Sequence, residues 1–175
     1  MTPVPLKIHQ RHMLKTKDIK KLLRSLQDQL KLSEEAVKKI VSAKDRVEWM
    51  KLDGNQELYA IDGVLTFWVK EGTFIPLLSY LMKHSLPYPR VKVDPGAVKF
   101  VSNGADVMRP GVTEIDAGIS PGDILLVEDP QHGRILAVGE ALYSSEQMEA
   151  MEKGKIIKCV HSLTDSIWTF SKSFK

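Results

Sequence analysis

The 175-residue chain is 43% hydrophobic and 27% charged, an ordinary balance for a globular protein that excludes a disordered or fibrous chain. No apolar run approaches the ~20 residues needed to span a bilayer, and the N-terminus lacks a secretory signal, so we expect a cytoplasmic protein with no membrane association. The single cysteine, Cys159, excludes an internal disulfide and any multi-cysteine zinc site.

The net charge of +3 is unevenly distributed along the chain. Residues 1–90 contain sixteen Lys and Arg against ten Asp and Glu, whereas residues 91–175 contain nine against twelve. A dense positive field attracts polyanions such as RNA. A solvated helix face would produce the same pattern, so charge alone leaves both interpretations open.

The first predicted element is an amphipathic helix over residues 17–30, with Thr16 as its N-cap. Its apolar stripe follows the i, i+3, i+4, i+7 spacing, and basic side chains occupy the opposite face. A second helix is predicted from Ser33, with acidic residues in its first turn. The candidate basic surface on the first helix consists of Lys17, Lys20, Lys21 and Arg24.

Residues 47–69 change to a β pattern with three strands. Asp62-Gly63 separates two β-rich runs, which predicts a type I′ hairpin because both central residues of that turn need φ > 0. A short helix is predicted over residues 77–84, with Pro76 at its start. The N-terminal half is therefore expected to be an α+β domain with a small antiparallel meander.

Two prolines within residues 85–90 break the helical pattern and predict a domain boundary there. Beyond it, Asp94-Pro95 should open a short helix that Asn103-Gly104 ends. Short strands then alternate with turns, and Ser144 to Gln147 fits a capping box. This pattern indicates a small, mostly β barrel, giving domains at residues 1–88 and 89–175.

Residues 94–112, DPGAVKFVSNGADVMRPGV, closely resemble the opening of a PUA domain, the RNA-binding fold named after pseudouridine synthases and archaeosine transglycosylases. Later segments match in order, including AVGEA at 137–141 and Gly154. The first half, with EGTFIPLL at 71–78, looks like the MCT proteins, translation-associated partners of density-regulated protein that are similar to the front of ligatin. Archaeal relatives share this two-domain layout.

The resemblance implies a PUA pseudo-barrel that grips RNA with its first helix and the adjoining glycine-rich loop. Glycines would let backbone amides approach a phosphate, a helix N-terminus would add positive charge, and Lys99 and Arg109 would supply counter-charge. A surface that only packs against protein is the alternative interpretation. The residues implied in RNA binding are Lys99, Asn103, Gly104, Ala105, Met108, Arg109, Pro110 and Gly111.

Other candidate sites are better explained by structure. His161, Ser162 and Asp165 lack the Gly-x-Ser-x-Gly context of a hydrolase, and His9 with His12 lacks an obvious third metal ligand. Cys159 is expected to fill the core. Aromatic side chains in the hairpin could stack bases, but core packing is the favoured interpretation for Trp49, Tyr59 and Trp68.

No nucleotide-binding motif, catalytic constellation or metal site is evident, so no cofactor is expected and the chain is not expected to be an enzyme. The favoured function is RNA binding in translation, through tRNA or small-subunit rRNA, with the small ribosomal subunit and a density-regulated-protein-like chain as partners. Two alternatives stay open. One is an accessory subunit of a pseudouridine synthase or tRNA-guanine transglycosylase, and the other is a protein adaptor in ribosome assembly.

Overall fold

The computed structural model describes residues 6–174, and in it the chain forms two units. The first unit comprises the residues up to Leu86 together with those from Phe170 onward, and the second is Pro87–Thr169. Both contain helices and strands, which confirms the predicted α+β class. Within residues 6–174, no helix is both long enough and apolar enough to cross a membrane.

The first unit is built on a five-stranded antiparallel meander in the order β1-β2-β3-β4-β5, with helices packed against it. Its elements are β1 (Ile8–Met13), α1 (Thr16–Leu30), α2 (Glu34–Lys38), β2 (Val47–Leu52), β3 (Gln56–Ile61), β4 (Val64–Lys70), β5 (Thr73–Pro76) and α3 (Leu78–Leu81).

The Asp62-Gly63 hairpin is confirmed between β3 and β4. Asp62 has φ 51° and Gly63 has φ 83°, so both central residues adopt the left-handed conformation that a type I′ turn requires. The strands on either side bury Phe67 completely. The turn therefore sets the register that places this ring in the core.

The amphipathic first helix is also confirmed. Ile19, Leu22 and Leu26 are buried along one side of α1, as the apolar spacing predicted. The predicted N-cap was wrong, because Thr16 is already helical and Lys15 precedes it without a capping side chain. Ser33 does cap α2, accepting a hydrogen bond from the Ala36 amide at 3.2 Å.

Two elements of the first unit differ from expectation. Residues 73–76 form edge strand β5, so Pro76 ends a strand and does not begin a helix. An edge strand tolerates proline because one side of it needs no ladder hydrogen bond. The helix that follows is correspondingly shorter than predicted, at Leu78–Leu81. Strand β1 was missed because polar residues dominate it and only Ile8 and Met13 are apolar.

The second unit contains a six-stranded mixed sheet in the order β7-β11-β10-β9-β6-β8. A 3-10 helix, Arg109–Gly111, joins the two edge strands β7 and β8, so the sheet curls towards a barrel. The elements are β6 (Arg90–Val93), α4 (Val98–Ser102), β7 (Val107–Met108), β8 (Val112–Ile115), β9 (Ile124–Glu128), β10 (Ile135–Ala141), α5 (Ser145–Ala150), β11 (Lys155–Ser162) and α6 (Ser166–Ser173), whose last residues belong to the first unit.

The core of this unit contains fully buried aliphatic side chains from the sheet, among them Val91, Leu125 and Ile156, with Met148 from α5. The capping box at Ser144 is present and reciprocated by Gln147. Asp94 caps the turn before α4 and not the helix itself: its Oδ1 accepts the Ala97 amide at 2.9 Å, and Ala97 is the N-cap.

Candidate nucleic-acid interface

Helix α4 presents a basic and an aromatic side chain to solvent. Val101 is buried on its inner side, whereas Lys99 is exposed and Phe100 is 66% exposed. Such exposure is unusual for a phenylalanine, whose ring normally contributes to the core. Phe100 was missed in the sequence, although the helical period that points Val98 and Val101 inward places the residue between them outward.

The glycine after α4 closes a Schellman motif. Gly104 has φ +95°; its amide donates to the Val101 carbonyl, and the Ala105 amide donates to the Phe100 carbonyl, both at 3.0 Å. This pairing satisfies the last carbonyls of the helix. It also corrects the expectation that the amides of this loop are available to a phosphate next to a positive helix end. These amides donate to carbonyls of α4, and the loop lies at the helix C-terminus, where the dipole is negative.

The loop is fastened to strand β11. The Thr164 hydroxyl donates to the Asn103 carbonyl at 3.2 Å, and Asp106 accepts the Cys159 amide at 2.8 Å. Asp106 also pairs with Lys155 at 2.9 Å. The Cys159 amide, and after it Lys155, hold the pKa of the Asp106 carboxyl below its usual value. The loop is therefore a fixed feature of the unit's surface.

Arg109 is a structural residue of this region. Its Nε donates to the Met148 carbonyl at 2.7 Å and its Nη1 to the Val112 carbonyl at 3.0 Å, and the side chain is only 18% exposed. The guanidinium thereby ties the 3-10 helix to the end of α5. The expected phosphate contact by Arg109 stays a prediction, and its Nε and one Nη1 N–H group already donate to these carbonyls.

The remaining predicted residues lie around the same elements. Met108 is 49% exposed in β7, which pairs with β11, and Pro110 is exposed in the 3-10 helix. Gly111 packs so closely that an added Cβ would lie 3.2 Å from the Ala97 Cβ. We use "α4–β7 surface" for the exposed side chains that result, which are Lys99, Phe100, Asn103, Ala105, Met108 and Pro110.

The first unit carries the second candidate surface, on α1. Lys17, Lys20, Lys21 and Arg24 are all exposed and face away from the buried stripe. None of the four is in an ion pair with another residue of the described chain, 6–174. Unpaired cations on a single helix face produce a concentrated positive field.

The histidine and aspartate near the end of β11 have a structural role. His161 is 1% exposed and its Nδ1 lies 2.7 Å from Asp165 Oδ2. The same carboxylate accepts the amides of Ser162 and Trp168, at 2.9 and 2.8 Å. Asp165 therefore organises the backbone at the start of α6. Within residues 6–174, no group of three metal-ligating side chains is assembled.

Comparison with known families gives two matches. The sequence matches the PUA domain over residues 89–163 and the Pre-PUA-like domain over residues 4–84. Together these matches cover most of the chain, in the order expected from the resemblance.

Relatives of similar length match along nearly the whole chain. Translation machinery-associated protein 20 of Saccharomyces cerevisiae is 32% identical over 170 residues, covering 94% of each chain. Malignant T-cell-amplified sequence 1-B of Xenopus laevis is 34% identical, covering 89% of this chain and 88% of its own. A solved hypothetical protein from the archaeon Pyrococcus horikoshii is 32% identical, with a TM-score of 0.79 over 93% of this chain and 99% of that one.

Proposed function

Because the chain belongs to the MCT family, in which a Pre-PUA-like domain precedes an RNA-binding PUA domain, we propose that it acts in translation by contacting tRNA or small-subunit rRNA. Its yeast relative is named for association with the translation machinery. We place the protein in the cytoplasm, with domains divided between residues 88 and 89, except that the chain from Phe170 onward groups with the first. Its role is to bind and position RNA and not to catalyse a reaction.

The observation that carries this proposal is the α4–β7 surface within the PUA domain. Lys99 supplies a cation for a phosphate, and Phe100 offers a ring on which an unpaired base can stack. Asn103 adds an exposed amide that can donate to and accept from a base edge. Gly104, Arg109 and Gly111 contribute by fixing the backbone on which these side chains stand.

The basic face of α1 serves as a second RNA contact, directed at phosphates. Its four cations lie on one helix face without intramolecular partners in the described chain, so they are available to a polyanion. Phosphate contacts release counterions, and binding should therefore weaken steeply with salt. We also propose that the small ribosomal subunit and a chain similar to density-regulated protein are partners.

The test is the binding of the full chain to total tRNA and to small-subunit rRNA, measured by fluorescence anisotropy across a salt series. We expect Lys99→Glu to weaken binding and to reduce the slope of log binding constant against log salt concentration by about one. Lys99→Arg should leave both the affinity and this slope unchanged. Phe100→Ala should cost about 1–3 kcal/mol of binding free energy, the range for one stacked base, whereas Phe100→Tyr should cost little.

Both positions are exposed, so these substitutions should leave folding intact, and circular dichroism checks this. Wild-type affinity in both Lys99→Glu and Phe100→Ala would remove the α4–β7 surface from the proposal. Absence of any RNA binding at low salt would overturn the function and favour a protein adaptor.

A further inference from the structure

A row of aromatic side chains crosses one face of the first unit's sheet. His12 pairs with Trp49, Trp49 with Tyr59, and Tyr59 with Phe67 across β1 to β4. Directly opposed residues of antiparallel strands point to the same side, so the rings form a ladder. The His12 and Trp49 ring centres are 4.9 Å apart, and those of Tyr59 and Phe74 are 5.7 Å apart.

Only one end of this ladder is closed. Phe67 is fully buried and Phe74 is 7% exposed, and α1 is fixed beside them because Gln29 accepts the Phe74 amide at 2.9 Å. Towards β1 the face opens, since His12 is exposed and Trp49 and Tyr59 are half-buried. The helix and the open end of the ladder border an open-sided cavity of about 360 Å³, within the range of small-molecule sites, ~300–1,000 Å³.

The lining of the cavity combines flat rings with charge. His12, Trp49, Tyr59 and Phe74 provide the aromatic wall, and Asp18 and Lys21 of α1 provide an acceptor and a cation. Burial, together with the charges of Glu57 and Asp18, raises the pKa of the Tyr59 hydroxyl to about 12. The phenol therefore keeps its proton further into the alkaline range than an exposed tyrosine does. By contrast, Trp68 lies on the other face, where its Nε1 donates to Gln56 and its ring is core.

We propose that this cavity binds an unpaired nucleobase, stacked on Trp49 and Tyr59, with Lys21 contacting the phosphate of the same nucleotide. Stacking on aromatic side chains tolerates any base. Asp18 can accept a hydrogen bond from an exocyclic amino group. Lys21 belongs to the basic face of α1, so a strand entering the cavity would continue along Lys17, Lys20 and Arg24. This inference rests on the proposed function in one respect, namely that RNA is the natural ligand.

The experiment titrates the full chain with adenosine 5′-monophosphate and follows tryptophan emission, with ribose 5-phosphate as the probe that lacks a base. Trp49 is the tryptophan among the residues that line the cavity. We expect a saturable change with the nucleotide and none with ribose 5-phosphate. Trp49→Phe should abolish the emission change while calorimetry still detects binding, because a ring remains for stacking.

Lys21→Glu and Lys20→Glu form a matched pair: the charge change is the same at neighbouring exposed positions, but only Lys21 lines this cavity. Lys21→Glu should weaken nucleotide binding about tenfold, the loss expected for one charged contact, and Lys20→Glu much less. Equal effects of the two variants, or no saturable binding by the wild type, would overturn the proposal.

Saturable binding of N-acetyltryptophanamide without binding of the nucleotide would identify a pocket for a protein side chain and would also overturn it. The anisotropy experiment with Lys99 and Phe100 variants tests residues of the second unit, and its ligands are tRNA and small-subunit rRNA. Absence of tRNA and rRNA binding by the wild type in that experiment would contradict the proposed function, while nucleotide binding in the cavity would still be measured independently.

Discussion

Asp106 holds the turn after α4 in place by two different interactions. One is a hydrogen bond from the Cys159 amide, and the other is the ion pair with Lys155. The hydrogen bond from the Cys159 amide joins two segments that lie more than fifty residues apart in the sequence. The side chain thus connects the α4–β7 surface to strand β11, so substitutions of Asp106 test how this surface is stabilised.

Asp106→Ala should lower the free energy of unfolding by about 1–3 kcal/mol, because it leaves the part-buried Cys159 amide without its acceptor. Asp106→Asn should cost less, since its side-chain oxygen can still accept that bond and only the ion pair is lost. Urea unfolding of the two variants measures both values. Equal losses of unfolding free energy in the two variants would show that the ion pair with Lys155, and not the hydrogen bond from the Cys159 amide, dominates.

The pH dependence of the same pair has a defined sign. The native pKa of Asp106 lies below the ordinary 3.8, so ionisation stabilises the fold above that pH, and this stabilisation is lost as pH falls through the lowered native pKa. The advantage of wild type over Asp106→Asn should therefore be constant near neutral pH and disappear in acid. An advantage that grows in acid would contradict this assignment.

At the scale of elements, the turn that ends α4 combines a backbone requirement with a packing requirement. Gly104 has φ +95°, and an added Cβ would lie 3.1 Å from the Ser162 hydroxyl oxygen. Gly118, in the loop between β8 and β9, has φ +81° with no atom within 4 Å of such a Cβ. The two glycines share a left-handed conformation but differ in their surroundings.

Gly118→Ala should destabilise the protein by about 1–2 kcal/mol, the cost of a left-handed alanine. Gly104→Ala should lower the free energy of unfolding by more than Gly118→Ala, because the Ser162 side chain must also move. Chemical denaturation compares the two. If Gly104→Ala costs no more than Gly118→Ala, Ser162 adapts freely and the loop is less firmly packed on β11 than the contact suggests.

Sequence patterns predicted the elements whose information is local. The α1 stripe, the Asp62-Gly63 hairpin and the Ser144 capping box depend on residues within one or two turns of each other, and all three are present. Polar strand β1 could not be predicted because its partner β2 is some forty residues away. The parallel pairing of β6 with β9 is non-local in the same way.

In the candidate interface too, local sequence patterns predicted some features and not others. Exposure of Lys99 follows from the helical period of α4, and so does that of Phe100 once the period is applied to it. The commitment of Arg109 to the Met148 carbonyl depends on a residue thirty-nine positions away. Whether a basic side chain is available to a ligand or engaged within the fold is therefore the part of the site that local patterns do not reveal.

At the scale of the whole molecule, the last residues of the chain group with the first unit. The Arg11 guanidinium lies over the Phe174 ring, 5.1 Å from its centre, and Phe174 is 6.2 Å from Phe170. Arg11 also pairs with Glu48 of the neighbouring strand. Residues from both ends of the chain thus stabilise the β1–β2 edge of the sheet.

Phe174→Ala should remove about 0.5–1 kcal/mol of cation–π stabilisation, the range for exposed sites. Phe174→Tyr should retain it, because the aromatic ring is kept. Hydrogen exchange should accelerate at the amides of β1 and β2 and stay unchanged in β9 and β10 of the second unit. Uniform acceleration in both units would contradict the assignment of Phe174 to the first.

The return of the chain to its first unit determines the order in which the protein can be completed during synthesis. Pro87–Thr169 is a continuous segment, so its unit can close as soon as Thr169 has left the ribosome. All five strands of the first unit precede Leu77, so its sheet can form early, but the ring contacts of Phe170 and Phe174 must wait until the second unit has been made. The contact between Arg11 and Phe174 can therefore form only after every residue of the second unit has been synthesised.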